Sequence, residues 1–213
     1  SHDLRAPLRS MESYARILCE EHAENLNEEG RYYAQRIMKN AAKMDRLMVD
    51  VLTMSRVSRS ELDLAPVDVA ALVEEVIDQY PDLAAVHKQI HVAGPLGRVI
   101  GDHSSLVQCF SNLLQNAFKF VPPDRTAEVR VTAIEEPAWV TVSVADNGIG
   151  IDPAVHQRIF GMFERAGPAN VPGTGIGLAI VKKAVDRMGG AVGVESAPDQ
   201  GARFWLRLPR AGE

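Results

Sequence analysis

Apolar residues recur with alternating gaps of four and three at the start of the chain, at Leu4, Leu8, Met11, Ala15 and Leu18. That spacing draws one stripe along a helix, as in a coiled-coil seam. Asn25, Leu26 and Asn27 interrupt it. Glu28 and Glu29 then suit the first turn of a second helix, where carboxylates favour the positive end of the helix dipole. The second helix carries Ala34, Ile37, Ala41, Met44, Met48 and Val51 in the same alternation. From Arg31 to Ser58 it would be about 40 Å long at ~1.5 Å per residue. Two such helices cannot close a core alone, so the pattern predicts an antiparallel hairpin that pairs with a second copy as a four-helix bundle. The alternative is that both stripes dock on the rest of the same chain.

Ala65, Pro66 and Val67 break the helical pattern and set the expected boundary, a hairpin over 1–64 and a second domain over 65–213. Asp68 can cap a helix from Val69 to about Tyr80, Ile90 to Val92 is a short strand, and Asp102 caps a further helix. Leu106, Cys109, Phe110, Leu113, Leu114 and Ala117 form the apolar side of that helix. The alternating, β-branched runs Glu128 to Ile134 and Trp139 to Ala145 predict adjacent antiparallel strands. Ile176 to Met188 is helical up to Gly189-Gly190, and Ala191 to Val194 and Ala202 to Leu208 supply two last strands. The fold class is α+β: the helical hairpin, then a two-layer α/β sandwich of one sheet and one helical layer.

The composition narrows the function. The chain of 213 residues is 46% hydrophobic and 24% charged, as in globular proteins. Its net charge of −5 argues against a general nucleic-acid binder. No stretch of roughly 18 uninterrupted apolar residues is present, so no membrane segment is expected. Cys19 and Cys109 lie in apolar helical surroundings and read as buried thiols of a reducing, cytoplasmic compartment, with a structural disulfide as the alternative. The chain opens Ser1-His2-Asp3 without an initiator Met or a leader, which predicts a segment of something longer.

Four clusters carry chemistry. His2 falls about 200° around its helix from Leu4 at ~100° per residue, off the seam and toward water. Pro7, one turn on, lacks an N–H and should kink the helix, while Asp3 could accept the proton His2 sheds in attacking an electrophile. Asn112, Asn116 and Lys119 share one helical face; uncharged amide oxygens suit Mg²⁺ where phosphates supply the charge, and Lys119 suits phosphate as a point charge. Taken alone, each of these reads first as a solvated polar face. Asp146-Asn147-Gly148-Ile149-Gly150-Ile151-Asp152 follows a strand, but fails as an EF-hand because Gly148 offers no oxygen ligand. Asp152-Pro153 reads as a helix start. Gly173-Thr174-Gly175-Ile176-Gly177-Leu178 opens a helix whose N–H groups favour an anion; it is neither a Walker A loop nor a dinucleotide fingerprint. The stretch from Phe163 to Gly173, with Gly167, Pro168 and Pro172, reads as a lid. His87 and His91 are surface residues rather than a metal pair, and Met44, Met48 and Met54 are core filler.

In this order the clusters resemble the transmitter module of sensor histidine kinases. His2-Asp3-Leu4-Arg5-Ala6-Pro7-Leu8 is similar to the family's H box and Asn112 to Asn116 with Lys119 to its N box. Asp146-x-Gly148-x-Gly150 resembles the G1 box, Phe160 and Phe163 the F box, and Gly173 to Leu178 the G2 box. The resemblance implies a dimerization and phosphotransfer hairpin followed by an ATP-binding domain. It implies an enzyme that autophosphorylates His2, with Asp3 as base, and passes the phosphoryl group to an aspartate of a response-regulator receiver domain. ATP would be held by Asn112, Asn116, Lys119, Phe120, Asp146, Gly148, Gly150, Phe163, Gly173, Thr174, Gly175, Gly177 and Leu178, with Mg²⁺ on Asn116 and the adenine amino group on Asp146.

The implied partners are a second copy, a receiver domain and an upstream sensor domain, with any membrane anchor also upstream. A catalytically silent nucleotide-binding dimer that regulates a sensor or receiver partner is the alternative. Two positions depart from the family's pattern. Relatives that dephosphorylate their regulator often carry Thr or Asn where Ala6 stands, so strong phosphatase activity is not expected. Asp199 replaces a common glycine shortly before Gly201-Ala202-Arg203-Phe204.

Overall fold

The computed structural model describes residues 2–167, 171 and 173–212, with the side chains of residues 2–4 outside the description. The chain divides into two compact units, Ser1–Ser55 and Arg56–Glu213. Helix α1 (His2–Glu20) continues through Pro7, a short turn follows at Ala23–Asn25, and α2 spans Glu28–Arg59. Asn27 Oδ1 accepts the Gly30 N–H at 2.8 Å, satisfying one of the donors a helix start leaves orphaned. Leu8 and Ala15 on α1 and Ala34 and Ala41 on α2 are buried, each pair seven residues apart. Arg5 Nε lies 3.4 Å from Asp45 Oδ1 across the hairpin.

The remaining seam positions behave differently. Met11, Leu18, Ile37, Met44 and Val51 stay exposed, so only half of each stripe is used within one chain. Met44, expected as core filler, is 52% exposed for this reason. Cys19, expected as buried, is half-exposed because it sits off the buried half of the stripe; Cys109 is fully buried, and both are free thiols.

The second unit begins with the last turn of α2. Strand β1 (Leu64–Asp68) follows, then α3 (Val69–Gln79), the single turn α4 (Pro81–Ala84), β2 (Ile90–Ala93) and β3 (Arg98–Asp102). Next come α5 (His103–Lys119), β4 (Val129–Glu135), β5 (Trp139–Asp146), α6 (Gly177–Arg187), β6 (Ala191–Ser196) and β7 (Ala202–Pro209). The main sheet runs β2-β4-β5-β7-β6; β2 and β4 are parallel and the other neighbours antiparallel. The expected hairpin of β4 and β5 is present, with Val131 opposite Val144.

The Ala65-Pro66-Val67 stretch is no connector. It lies in β1, which pairs with β3 in a separate two-stranded sheet, Pro66 opposite Ile100. Each strand of such a sheet has one unpaired side, where a residue without an N–H costs no ladder bond. The expected helix after Asp152 is also absent. Two single turns, Pro153–Val155 and Arg158–Phe160, stand there, with Asp152 Oδ1 accepting the Ala154 N–H at 2.8 Å. His91 lies in β2, and His87, in a turn, pairs with Glu74 at 3.4 Å.

One face of the main sheet makes the core. Val131, Val140, Val142, Val144, Phe204, Leu206 and Leu208 alternate inward and are buried. Leu72, Val76 and Ile77 of α3, Leu106, Phe110, Leu113 and Leu114 of α5, and Ile180, Val181 and Val185 of α6 are buried with them. Each large aliphatic or aromatic side chain so buried stabilises the fold by about 1.5–3 kcal/mol. Trp139, Thr141, Trp205 and Arg207 take the other face, where the Arg207 guanidinium lies 5.1 Å from the centre of the Trp139 ring.

Asp102 anchors α5. Its Oδ1 accepts from Ser105 N at 2.8 Å and Ser104 Oγ at 2.7 Å, and its Oδ2 from Asp63 N at 3.3 Å. Burial alone would raise its pKa, but donation from Ser105, Ser104 and Asp63 outweighs that and holds it below the usual carboxylate range. A carboxylate with a depressed folded pKa stabilises above the unfolded pKa of about 3.9, and the effect is lost as pH falls through the folded value. Asp102→Ala should therefore cost about 1–2 kcal/mol at neutral pH. Denaturant midpoints at pH 7 and near pH 3 should show the gap to wild type narrowing in acid.

Candidate active site

The polar stripe of α5 faces a loop that the sequence separates from it by more than fifty residues. Burial of Leu106, Phe110, Leu113 and Leu114 fixes the rotation of the helix, leaving Asn112, Asn116 and Lys119 half-buried on its far side. Asn112 Nδ2 donates to Gln108 O at 2.7 Å, which turns its Oδ1 toward the start of α6. A Cβ on Gly177 would lie 2.5 Å from that oxygen, so any larger residue there would push the Asn112 amide aside. A Cβ on Gly173 would lie equally close to Lys119 Nζ, which itself sits 4.7 Å from the centre of the Phe120 ring. Asn112 and Lys119 of one motif thus meet Gly177 and Gly173 of another.

Helix α6 starts without a side-chain cap hydrogen bond from its N-cap residue, Ile176, and Thr174 Oγ1 accepts the Ile176 N–H at 3.4 Å. Its first N–H groups point out of the helix beside Asn112, which is the arrangement that binds an anion. Asn116 forms no side-chain hydrogen bond among the described residues. A half-buried amide oxygen so placed fits a hard cation such as Mg²⁺. Among the described residues no group of three or more His, Cys, Asp or Glu could hold a metal ion.

Asp146, at the end of β5, receives Gly148 N at 2.8 Å and Ala202 N at 3.2 Å, both on Oδ1. Its Oδ2 accepts no hydrogen bond among the described residues. Burial raises the Asp146 pKa above the ordinary range, and the two backbone donors offset this only in part.

The loop carrying Asp146 is stitched on three sides. Ile149 N donates to Phe120 O at 3.0 Å, Asp199 N to Ile149 O at 2.7 Å, and Gly201 N to Gly148 O at 3.1 Å. Gly150 turns with φ +69°, and a Cβ there would collide with Ala197 O. Arg125 Nη1 donates to Asn147 O at 2.5 Å and Gly148 O at 3.1 Å, while Asn147 bonds back to Glu128 N at 3.0 Å and Thr126 O at 2.8 Å.

Phe163 is 61% exposed and adopts φ +64°, unusual for a bulky residue. Phe160 meets Phe204 edge-on at 6.4 Å. A Cβ on Gly175 would lie 2.8 Å from both Glu164 O and the Phe163 carbonyl carbon, and one on Gly167 would lie 2.5 Å from the Phe120 ring. Leu178 is half-buried in the first turn of α6. Of the expected lid, Pro168, Ala169, Asn170 and Pro172 lie outside the described residues, as do the side chains of His2 and Asp3.

Sequence reasoning missed Arg125, which acts on backbone carbonyls 22 residues away and so belongs to no motif. It also gave Asn147 no role beyond its place in a turn.

An uncapped helix start, an amide-and-lysine stripe facing it and a half-buried aspartate with one open oxygen together make a candidate nucleotide site. Residues 101–212 match the histidine kinase-, DNA gyrase B- and HSP90-like ATPase family, and residues 1–60 match the His Kinase A (phospho-acceptor) domain. The chain belongs to that ATPase family and, with the phospho-acceptor domain ahead of it, is the transmitter module of a sensor histidine kinase.

Phytochrome-like protein Cph1 of Synechocystis is 33% identical over 217 residues, which cover 98% of this chain and 28% of that protein. Sensor-like histidine kinase SenX3 of Mycobacterium tuberculosis is 31% identical, over 98% of this chain and 52% of its own length. The chain spans 28% of the length of Cph1 and of the Nostoc phytochromes A and B. The crystal structure of full-length ShkA in complex with AMPPNP superposes with a TM-score of 0.68 at 35% identity, covering 100% of this chain and 45% of that one. The mycobacterial sensor histidine kinase MprB gives 0.58 at 30% identity, covering 70% and 99%. No helix among the described residues is long and apolar enough to cross a membrane.

Proposed function

We propose that this chain is an ATP-dependent protein-histidine kinase that phosphorylates its own His2 and hands the phosphoryl group to an aspartate on a response-regulator receiver domain. Residues 1–64 would serve dimerization and phosphotransfer, and 65–213 would bind ATP. The observation that carries the reading is the meeting of Asn112 and Lys119 with the glycine-opened, uncapped start of α6.

In this arrangement Asp146 Oδ2 accepts the adenine amino group. The guanine carbonyl would instead set two acceptors against each other. Phe120, Gly148, Gly150 and Phe163 line the path of the nucleotide, and Gly173, Thr174, Gly175, Gly177 and Leu178 with Lys119 cover its phosphates. Asn116, supported by Asn112, would hold Mg²⁺, which when bound neutralises phosphate charge. A ring nitrogen of His2 attacks the γ-phosphorus. The N–P bond forms as the bond to the β,γ-bridging oxygen breaks, ADP leaves, and Asp3 takes the ring proton. Positioning and charge neutralisation supply the rate, since little covalent work falls to the protein.

The working unit in this reading is a cytoplasmic homodimer. Met11, Leu18, Ile37, Met44 and Val51 form an apolar stripe that the single chain leaves exposed, which supports a second copy as its cover. An upstream sensor domain would supply the input.

Incubation with Mg-ATP labelled on the γ-phosphate tests the reading. Protein-bound label that is lost in acid and survives alkali is the expected result, followed by its transfer to a receiver domain. Nucleotide binding with no such label would replace the kinase by a silent regulator, and phosphate released to water would indicate an ATP-hydrolysing machine.

A further inference from the structure

The last turn of α2 ends in carbonyls that no helical N–H can reach. Ser60 takes one of them: both its N–H and its Oγ donate to Arg56 O, at 2.9 and 2.8 Å. One more in that turn, and the carbonyl of Ser60 just past the helix end, are taken by a residue far along the chain. Arg187, in the final turn of α6, donates through Nη1 to Val57 O and through Nη2 to Ser60 O at 2.6 Å. All of these residues belong to the second unit, and Val57 is buried there.

The next residue strengthens the attachment. Met188 Sδ accepts the Asp102 N–H at 3.3 Å, and Asp102 Oδ2 accepts Asp63 N at 3.3 Å. The segment from Val57 to Asp63 is therefore fastened at two points, both adjoining the C-terminal end of α6. The N-terminal end of the same helix is the uncapped start beside Asn112, about 16 Å away at ~1.5 Å per residue. A helix of eleven residues packed through Ile180, Val181, Ala184 and Val185 moves as one body.

We infer that Arg187 is a positioning residue: it couples the end of α6 that faces the nucleotide phosphates to the last turn of α2. Helix α2 runs unbroken from that turn back into the unit that carries His2. A planar guanidinium holding two carbonyls fixes direction as well as distance, which a lysine ammonium, a point charge, does not. The role in phosphoryl transfer rests on the kinase reading; the coupling itself does not.

The test compares wild type, Arg187→Ala and Arg187→Lys by hydrogen exchange of the amides from 58 to 63, by affinity for a non-hydrolysable ATP analogue, and by initial rate of His2 phosphorylation. In wild type the analogue should slow exchange in this segment. In Arg187→Ala the same amides should exchange at least about tenfold faster, with no response to the analogue. Analogue affinity should stay within about threefold while phosphorylation falls about tenfold or more, and Arg187→Lys should recover part of both effects. Unchanged exchange in Arg187→Ala, or a persisting response to the analogue, would overturn the coupling, as would an affinity loss as large as the rate loss. If wild type forms no phosphohistidine, the kinase reading fails while the exchange measurements still decide the latch.

Discussion

Asp146→Asn should weaken binding of ATP analogues by about 2–4 kcal/mol, roughly 30- to 1000-fold, without unfolding the protein. The two atoms of the carboxylate have separate duties. Oδ1 receives the Gly148 and Ala202 N–H groups, and an asparagine carbonyl can keep both. Oδ2 becomes an NH₂, which sets a donor against the adenine amino donor at a half-buried position where water compensates poorly. Stability should move the other way. Burial raises the pKa of this acid in the folded state, so its ionised form costs stability at neutral pH, and protonation relieves the cost as pH falls through the folded value. The Asn variant, which cannot ionise, should unfold no earlier than wild type at pH 7, and any advantage should shrink in acid. Wild-type affinity should begin to fall at a pH above the ordinary aspartate range, and the variant's weak binding should show no such step. Isothermal titration across pH, paired with thermal melts, measures both. Loss of affinity together with early melting would mean that Asp146 holds the loop rather than the base.

The periodic parts of this fold were readable because one physical requirement dominates each of them. The inward faces of β4, β5 and β7 need apolar residues at every second position, and α5 needs them on one side, so pattern and structure agree there. The seams of α1 and α2 were readable as stripes but not as two half-stripes. Ala15 and Met11 look alike to a binary pattern, and only the packing of small residues between the helices separates inward from outward. Strand β3 escaped because Gly101 and a flanking turn dilute its alternation, and β1 was hidden by Pro66, which reads as a break unless its strand has an unpaired side. The motifs marked Asn112, Lys119, Asp146 and the glycines as separate clusters; the structure brings Gly177 against Asn112 and Gly173 against Lys119, and ties the Asp146 loop to Phe120 through the Ile149 N–H at 3.0 Å. Arg125 and Arg187 were illegible in principle. Each donates to backbone carbonyls, which every residue carries, so nothing at the receiving end marks the pairing in the sequence.

His2→Ala should abolish the acid-labile label while leaving affinity for an ATP analogue within about twofold of wild type, because the groups proposed to hold the nucleotide lie between residues 112 and 178, in the other unit. No second histidine of the hairpin can substitute. His22 lies beyond the far end of α1, about 30 Å along the axis from His2 at ~1.5 Å per residue. A phosphoryl group positioned for one end of that helix is out of reach of the other. Asp3→Asn separates the nucleophile from its base. Without a carboxylate to take the ring proton, transfer should slow by roughly 10²- to 10⁴-fold rather than vanish, and should recover in part at higher pH, where solvent can accept the proton. The two variants therefore make different demands on a time course. His2→Ala stays at background however long the incubation, whereas Asp3→Asn climbs slowly toward the wild-type plateau. Label of wild-type extent in His2→Ala would move the acceptor elsewhere, and an Asp3→Asn rate equal to wild type would take Asp3 out of the proton's path.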